Sequence, residues 1–256
     1  MNTDDDDYPK DSQKRKLIST LAIATGAALV IAPTQAAPRL TEKKQHWCMV
    51  IDLRKCVGCQ ACTVSCKIEN HAPPGQFRTW VADIEVGQYP KTKRQFLPRL
   101  CNHCENPSCV PVCPTGATFK RNDGIVLINQ DICWGCGACV TACPYDARFI
   151  NTETKTADKC TFCAHRIEQG LVPACVETCV GAARVFGDLN DKESEVHKLY
   201  SEHITNVLNP ATGNKPQVFY IGLNNEMTVG EEIKSKTWTK EFSDVFDQEL
   251  PWVNQE

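Results

Sequence analysis

The chain has 256 residues, a formal net charge of -3 and 17 cysteines. That length holds one large domain or two small ones, and the balanced charge excludes the electrostatic footprint of a nucleic-acid binder. So many cysteines would suit a disulfide scaffold in a short secreted chain, and their grouping decides what they do.

Residues 1–37 read as an export segment. An acidic start, MNTDDDDYPK, gives way to Lys14, Arg15 and Lys16, then to an apolar run from Leu17 to Ala32, then to small residues at Thr34, Ala36 and Ala37. This is the three-part form of a secretory signal. The stretch KRKLI resembles a twin-arginine export signal, with Lys14 in place of the first arginine. As a helix the apolar run rises only about 24 Å, short of the roughly 30 Å hydrocarbon core. The reading is therefore a signal cleaved near Ala36 or Ala37, which leaves a mature chain without a transmembrane span.

A second region is expected over residues 38–190. It opens with HWCMVID, an apolar run that reads as a strand and carries the odd thiol, Cys48. Free cysteine is among the most buried residue types, so Cys48 is read as a core thiol. Next comes CVGCQACTVSC, from Cys56 to Cys66, spaced C-x2-C-x2-C-x3-C. Disulfides between such close neighbours would close strained small rings. Zinc usually takes two C-x2-C pairs set well apart. The run fits iron–sulfur ligation, in which three cysteines hold one cubane cluster and the fourth reaches a neighbouring cluster.

The same frame returns three times. The first group is Cys56, Cys59, Cys62 and Cys66. The second is Cys101, Cys104, Cys109 and Cys113. The third is Cys133, Cys136, Cys139 and Cys143, and the fourth is Cys160, Cys163, Cys175 and Cys179. Each opens C-x2-C and closes C-x3-C, and only the middle gap varies, from two to four to two to eleven residues. Four tetrads in one frame form an internal repeat. A zinc protein has no need of the trailing C-x3-C four times.

The repeat extends past the thiols. PTGATF follows the second group, PYDARF the third and VGAARV the fourth. Ala117, Ala147 and Ala183 stand four residues beyond the last thiol, and Phe119, Phe149 and Val185 stand six beyond. Small residues let the backbone approach a cluster, and the larger ones begin a strand and keep water out. Pro114 and Pro144 follow their thiols directly and set the turn, whereas Lys67 and Val180 stand there in the outer groups. Between the second and third groups, Asn122, Asp123 and Gly124 mark the turn of a β-hairpin. Only short helices fit between the cysteines. The expected fold is α+β, with small sheets and short helices around clusters.

In a two-cluster ferredoxin the fourth cysteine of each group crosses over. The second and third groups are adjacent, so one cluster falls to Cys101, Cys104, Cys109 and Cys143. Its partner falls to Cys113, Cys133, Cys136 and Cys139. The outer groups then pair with each other, with one cluster on Cys56, Cys59, Cys62 and Cys179 and one on Cys66, Cys160, Cys163 and Cys175. The result is a nested double bacterial-type ferredoxin with four [4Fe–4S] clusters, which amounts to a wire. No dinucleotide loop, P-loop or nucleophile elbow accompanies it, so no catalytic site of its own is expected. His103, inside CNHC, is read as making a local structural hydrogen bond or one to a cluster sulfur.

The segments MVIDLRKCVGCQACTVSCKIEN, LPRLCNHCENPSCVPVCPTGAT, CWGCGACVTACPYDARF and ADKCTFCAHRIEQGLVPACVETCVGAARVFGD resemble the iron–sulfur subunits of the DMSO-reductase molybdoenzyme superfamily. The resemblance spans roughly residues 46–190 plus PQVFYIGL. CTVSCKIEN, GQFRT and YDARFINTETKTADKC are similar to the tetrathionate reductase branch. The resemblance implies a complex. A molybdopterin catalytic subunit would reduce the substrate, a membrane subunit would oxidise quinol, and this chain would carry electrons between them on the periplasmic face. All sixteen tetrad thiols match the family frame. Residues 191–256 are then expected to form a C-terminal tail that packs on partner subunits. A soluble polyferredoxin carrier and a DNA-repair or RNA-modifying cluster protein remain as alternatives, the latter opposed by the signal and the charge.

Overall fold

The computed structural model of the chain describes residues 45–224 and Met227. The expected export segment, residues 1–37, lies outside the described residues. Strand β1 (Trp47–Asp52) is the run HWCMVID anticipated, and it is buried almost end to end. Its alternate side chains serve two cores. Met49 and Ile51 belong to the main core, while Cys48 and Val50 belong to a second, smaller one. A strand covered on both faces needs a continuous apolar run, which is what the sequence supplies. Burial, then the carboxylate of Asp188, pushes the Cys48 thiol up to about 12, so it stays neutral there.

Helix α1 (Ala61–Glu69) holds Cys62 and Cys66 one turn apart on a shared buried face. Then come β2 (Thr79–Val86) and β3 (Lys93–Leu100), an antiparallel hairpin that the cysteine frame did not announce. Pro98 sits within β3, opposite Val81. This sheet has only two strands, so proline's missing N–H breaks no ladder on the far side. Val81, Leu97 and Leu100 pack into the main core with Met49 and Ile51.

The tetrads bring their own small elements. Strands β4 (Thr118–Lys120) and β5 (Val126–Ile128) form the hairpin expected around Asn122-Asp123-Gly124. Gly124 has φ +91°, and its N–H donates to the Arg121 carbonyl at 3.1 Å. Helix α2 (Ala138–Thr141) and the hairpin of β6 (Arg148–Ile150) and β7 (Ala157–Lys159) follow. Helices α3 (Ala164–Ile167) and α4 (Ala174–Glu177) lead to β8 (Arg184–Asp188). No helix among the described residues is long and apolar enough to cross a membrane.

Beyond β8 the chain returns to its own core. Helix α5 (Glu195–Glu202) buries Val196 against Cys48 and Val50. Strands β9 (Thr205–Asn206) and β10 (Val218–Ile221) complete a four-stranded sheet in the order β8-β1-β10-β9. Strand β10 lies parallel to β1, with Met49 opposite Val218 and Asp52 opposite Ile221. The sequence reading gave residues 191–256 to partner subunits. Within this segment β9 and β10 join the chain's own central sheet, so residues up to Asn224 are not a separate tail, and VFYI is apolar on both faces with all four residues buried. The rest of that segment, Met227 apart, lies outside the described residues.

Candidate cluster-binding sites

The two middle groups surround two cavities, and they do so crosswise. Cys101, Cys104, Cys109 and Cys143 line one, with Pro144, Tyr145 and Arg148. Cys113, Cys133, Cys136 and Cys139 line the other, with Pro114, Thr118 and Trp134. Each contains about 300 Å³ not filled by protein atoms, part of it open to solvent. The last thiol of each group thus stands beside the first three of the other. Gly135, between Cys133 and Cys136, makes the close loop possible. It has φ +66°, and a Cβ there would lie 2.0 Å from the Lys155 carbonyl oxygen, a clash with backbone that only glycine avoids. Gly58 holds the equivalent place in the first group at φ +68°, pressed against the Phe96 ring.

The outer groups also interleave. The thiols of Cys62 and Cys179 lie near enough to Cys56 to oppose its ionisation. Cys175 and Cys163 do the same to Cys66, and Cys66, Cys175 and Cys163 to Cys160. The Asn70 amide nitrogen stands 3.6 Å from the Cys66 sulfur and 3.7 Å from the Cys163 sulfur. Helix α1 carries Cys62 and Cys66 and helix α4 carries Cys175, and a 2.8 Å hydrogen bond from the hydroxyl of Thr178, just past α4, to Ser65 joins the two. Cys59 and Cys136 are the two exposed thiols.

Among the described residues, no three cysteine, histidine or acidic side chains converge on the position of a single metal ion. Thiols spread round a cavity suit a cubane, in which each sulfur meets a different iron. Other groups fit the same anionic occupant. Backbone N–H groups of Thr118, Ala157, Phe162 and Ala183 point at the sulfurs of Cys113, Cys133, Cys160 and Cys179 at 3.5, 3.4, 3.4 and 3.2 Å. The Arg148 guanidinium donates to the Cys109 sulfur at 3.0 Å. Such donors stabilise thiolates and tune cluster potentials. Burial drives the Cys66 and Cys104 thiols up to about 12, so loading a metal there releases protons. Burial opposes ionisation at Cys113 too, but the Thr118 N–H and the Thr115 hydroxyl outweigh it and bring this thiol down to about 7.

The chain that follows the last tetrad helps wall the Cys101 cavity. Asn214 lines it, the Asn209 amide donates to the Pro144 carbonyl at 2.9 Å, and the Gln217 N–H donates to the Asn102 carbonyl at 2.8 Å.

Comparison with known proteins places the chain. Two models of the 4Fe-4S dicluster domain match, over residues 55–117 and 92–189. The tetrathionate reductase B subunit of Salmonella typhimurium is 51% identical over 225 residues, covering 84% of this chain and 90% of that one. The chain belongs to the iron–sulfur, electron-transfer subunits of the DMSO-reductase superfamily. The tetrathionate reductase B subunit of Archaeoglobus fulgidus is 48% identical over 182 residues, covering 71% of this chain and 84% of that one. The arsenate respiratory reductase iron–sulfur subunit of Shewanella sp. (strain ANA-3) is 38% identical over 221 residues, covering 68% of this chain and 94% of that one.

For an iron–sulfur subunit, His103 has a structural post. It is fully buried, its Nδ1 accepts the Val126 N–H at 3.0 Å, and its ring stacks on Phe162 with centroids 3.7 Å apart. This is a local structural hydrogen bond, and the buried Nε2 has no hydrogen-bond partner among the described residues. His103 and Phe162 occupy the same place in their C-x2-C pairs, so the stack joins the second group to the fourth. The sequence reading missed the buried cations Arg148, Lys159 and Arg184. The Lys159 ammonium donates to the carbonyls of Val126 and Cys160, the latter at 2.8 Å. A repeated offset could have found the two arginines, since each stands five residues beyond the last thiol of its group.

Proposed function

We propose that this chain is the electron wire of a periplasmic tetrathionate reductase, a nested double ferredoxin with four [4Fe–4S] clusters. The proposed ligand sets are the four given above, with the last thiol of each group crossing to its partner group. The crosswise placing of Cys143 and Cys113 around the two inner cavities carries this reading. Each cluster, when bound, supplies a one-electron couple. The chain's own residues hold the thiols, exclude water and present N–H donors to sulfur. Electrons enter from a quinol-oxidising membrane subunit and leave to a molybdopterin subunit, where the substrate chemistry takes place. The similarity to the B subunits of tetrathionate reductases supports the substrate. An export signal on residues 1–37 delivers the folded chain.

Exposed apolar side chains are carried by the segments that bear the cysteine groups. Val57, Val64, Ile68 and Val180 belong to the first and fourth groups, and Val112, Ile132 and Trp134 to the second and third. We read these side chains as parts of the surface that partner subunits cover. Accordingly, the native protein is expected to co-migrate with a large molybdenum-containing subunit on a native gel. Migration as a lone species of its own mass would favour a free polyferredoxin instead.

A further inference from the structure

Arg148 and Arg184 stand at matched places. Each follows the last thiol of its group by five residues, begins its strand, and is 3% exposed. A buried cation ordinarily pairs with a carboxylate. Among the described residues neither arginine does so. Thiols and a threonine stand around each instead, with the buried Tyr220 also facing Arg184 and the buried Lys159 also facing Arg148. Arg148 donates to the Cys109 sulfur at 3.0 Å and to the Thr118 hydroxyl at 3.2 Å, and also faces Cys101 and Cys139. Cys101 and Cys109 belong to one inner cavity, Thr118 and Cys139 to the other. Arg184 donates to the Thr79 hydroxyl at 3.0 Å and faces Cys175 and Cys62, one from each outer ligand set. Each keeps one buried N–H with no protein acceptor, Nε in Arg148 and Nη1 in Arg184.

We propose that Arg148 and Arg184 are paired positioning residues, one between the two clusters of each double ferredoxin, that raise the potentials of both flanking clusters together. The inference rests on the four-cluster reading. A guanidinium keeps its charge at any working pH. Inside the protein a fixed positive charge acts strongly, and it favours the more negative, reduced state of a neighbouring cluster. Standing between two clusters, it favours the reduced state of both. Each transfer moves one electron, which one site loses and the next gains. The arginine itself exchanges neither proton nor electron. Thr118 and Thr79 hold the two guanidinium groups in place.

The test is an EPR-monitored redox titration of the full chain, purified anaerobically with its clusters. In Arg148→Gln two of the four couples are expected to fall, by roughly tenfold in the reduced-to-oxidised ratio or about 59 mV for one electron. In Arg184→Gln the other two fall. Arg148→Lys and Arg184→Lys, which keep the charge, stay near the parent. A purely structural role predicts neither the complementary pairs nor the rescue by lysine. The proposal is overturned if no couple moves, if all four move together, or if lysine behaves as glutamine. Should a glutamine variant fail to hold iron, the lysine variant decides. Retained iron with unmoved couples supports the charge, and lost iron or displaced couples overturn it. If the parent shows only two couples, the four-cluster reading fails instead.

Discussion

A strain lacking this chain is expected to lose quinol-driven tetrathionate reduction completely. A reduced artificial dye that reaches the molybdenum subunit directly should still drive the reaction. The asymmetry follows from the division of labour. The chain offers sixteen thiols in tetrads, and on the proposed reading the substrate chemistry belongs to the molybdopterin subunit, so removal of this chain takes away the route and leaves the chemistry. Exposed apolar side chains on the cysteine-bearing segments, among them Val57, Val180 and Trp134, suit docking to partners. Paired assays in membranes, one with a quinol analogue and one with dye, measure both arms. Quinol-driven activity that survived the deletion would mean this chain is not the wire. An intact complex that reduced DMSO or thiosulfate but not tetrathionate would overturn the substrate alone.

Changing Cys179→Ala is expected to remove the cluster proposed for Cys56, Cys59 and Cys62, with loss of about a quarter of the iron. The cluster proposed for Cys66, Cys160, Cys163 and Cys175 should remain. Cys179 is the last thiol of the fourth group, yet its sulfur lies near Cys56 of the first, and the Ala183 N–H holds it at 3.2 Å. EPR of three variants decides the pairing. The signal lost in Cys179→Ala should match the one lost in Cys59→Ala. A match to the one lost in Cys163→Ala would mean that the fourth group serves itself, and the nested arrangement would fall.

The tetrads were legible because their spacing is a local constraint. Three thiols on one short loop, with glycine at positions 58 and 135, leave little choice of conformation. Strand β1 and the Asn122–Gly124 hairpin were legible for similar reasons, a long apolar run in one case and turn chemistry in the other. The hairpin of β2 and β3 was not. Its second strand carries Lys93, Arg94, Arg99 and Pro98, which disguise a strand whose burial depends on the main core. The parallel pairing of β10 with β1 joins segments far apart in the chain, and no local pattern announces such a pair. For that reason residues 191–224 read as a tail. The arginines escaped notice for a different reason. The first two groups carry His71 and Thr118 at the same offset, so the device appears only when the third and fourth groups are laid over each other. Its meaning appears only when their burial without carboxylates is seen.

The central claim is that four cubane clusters occupy this one chain. Iron and acid-labile sulfide analysis of the full chain, purified anaerobically, tests it most directly. The expected result is about sixteen of each per chain, as four [4Fe–4S] clusters require. About eight of each, or zinc in stoichiometric amount with no labile sulfide, would contradict it.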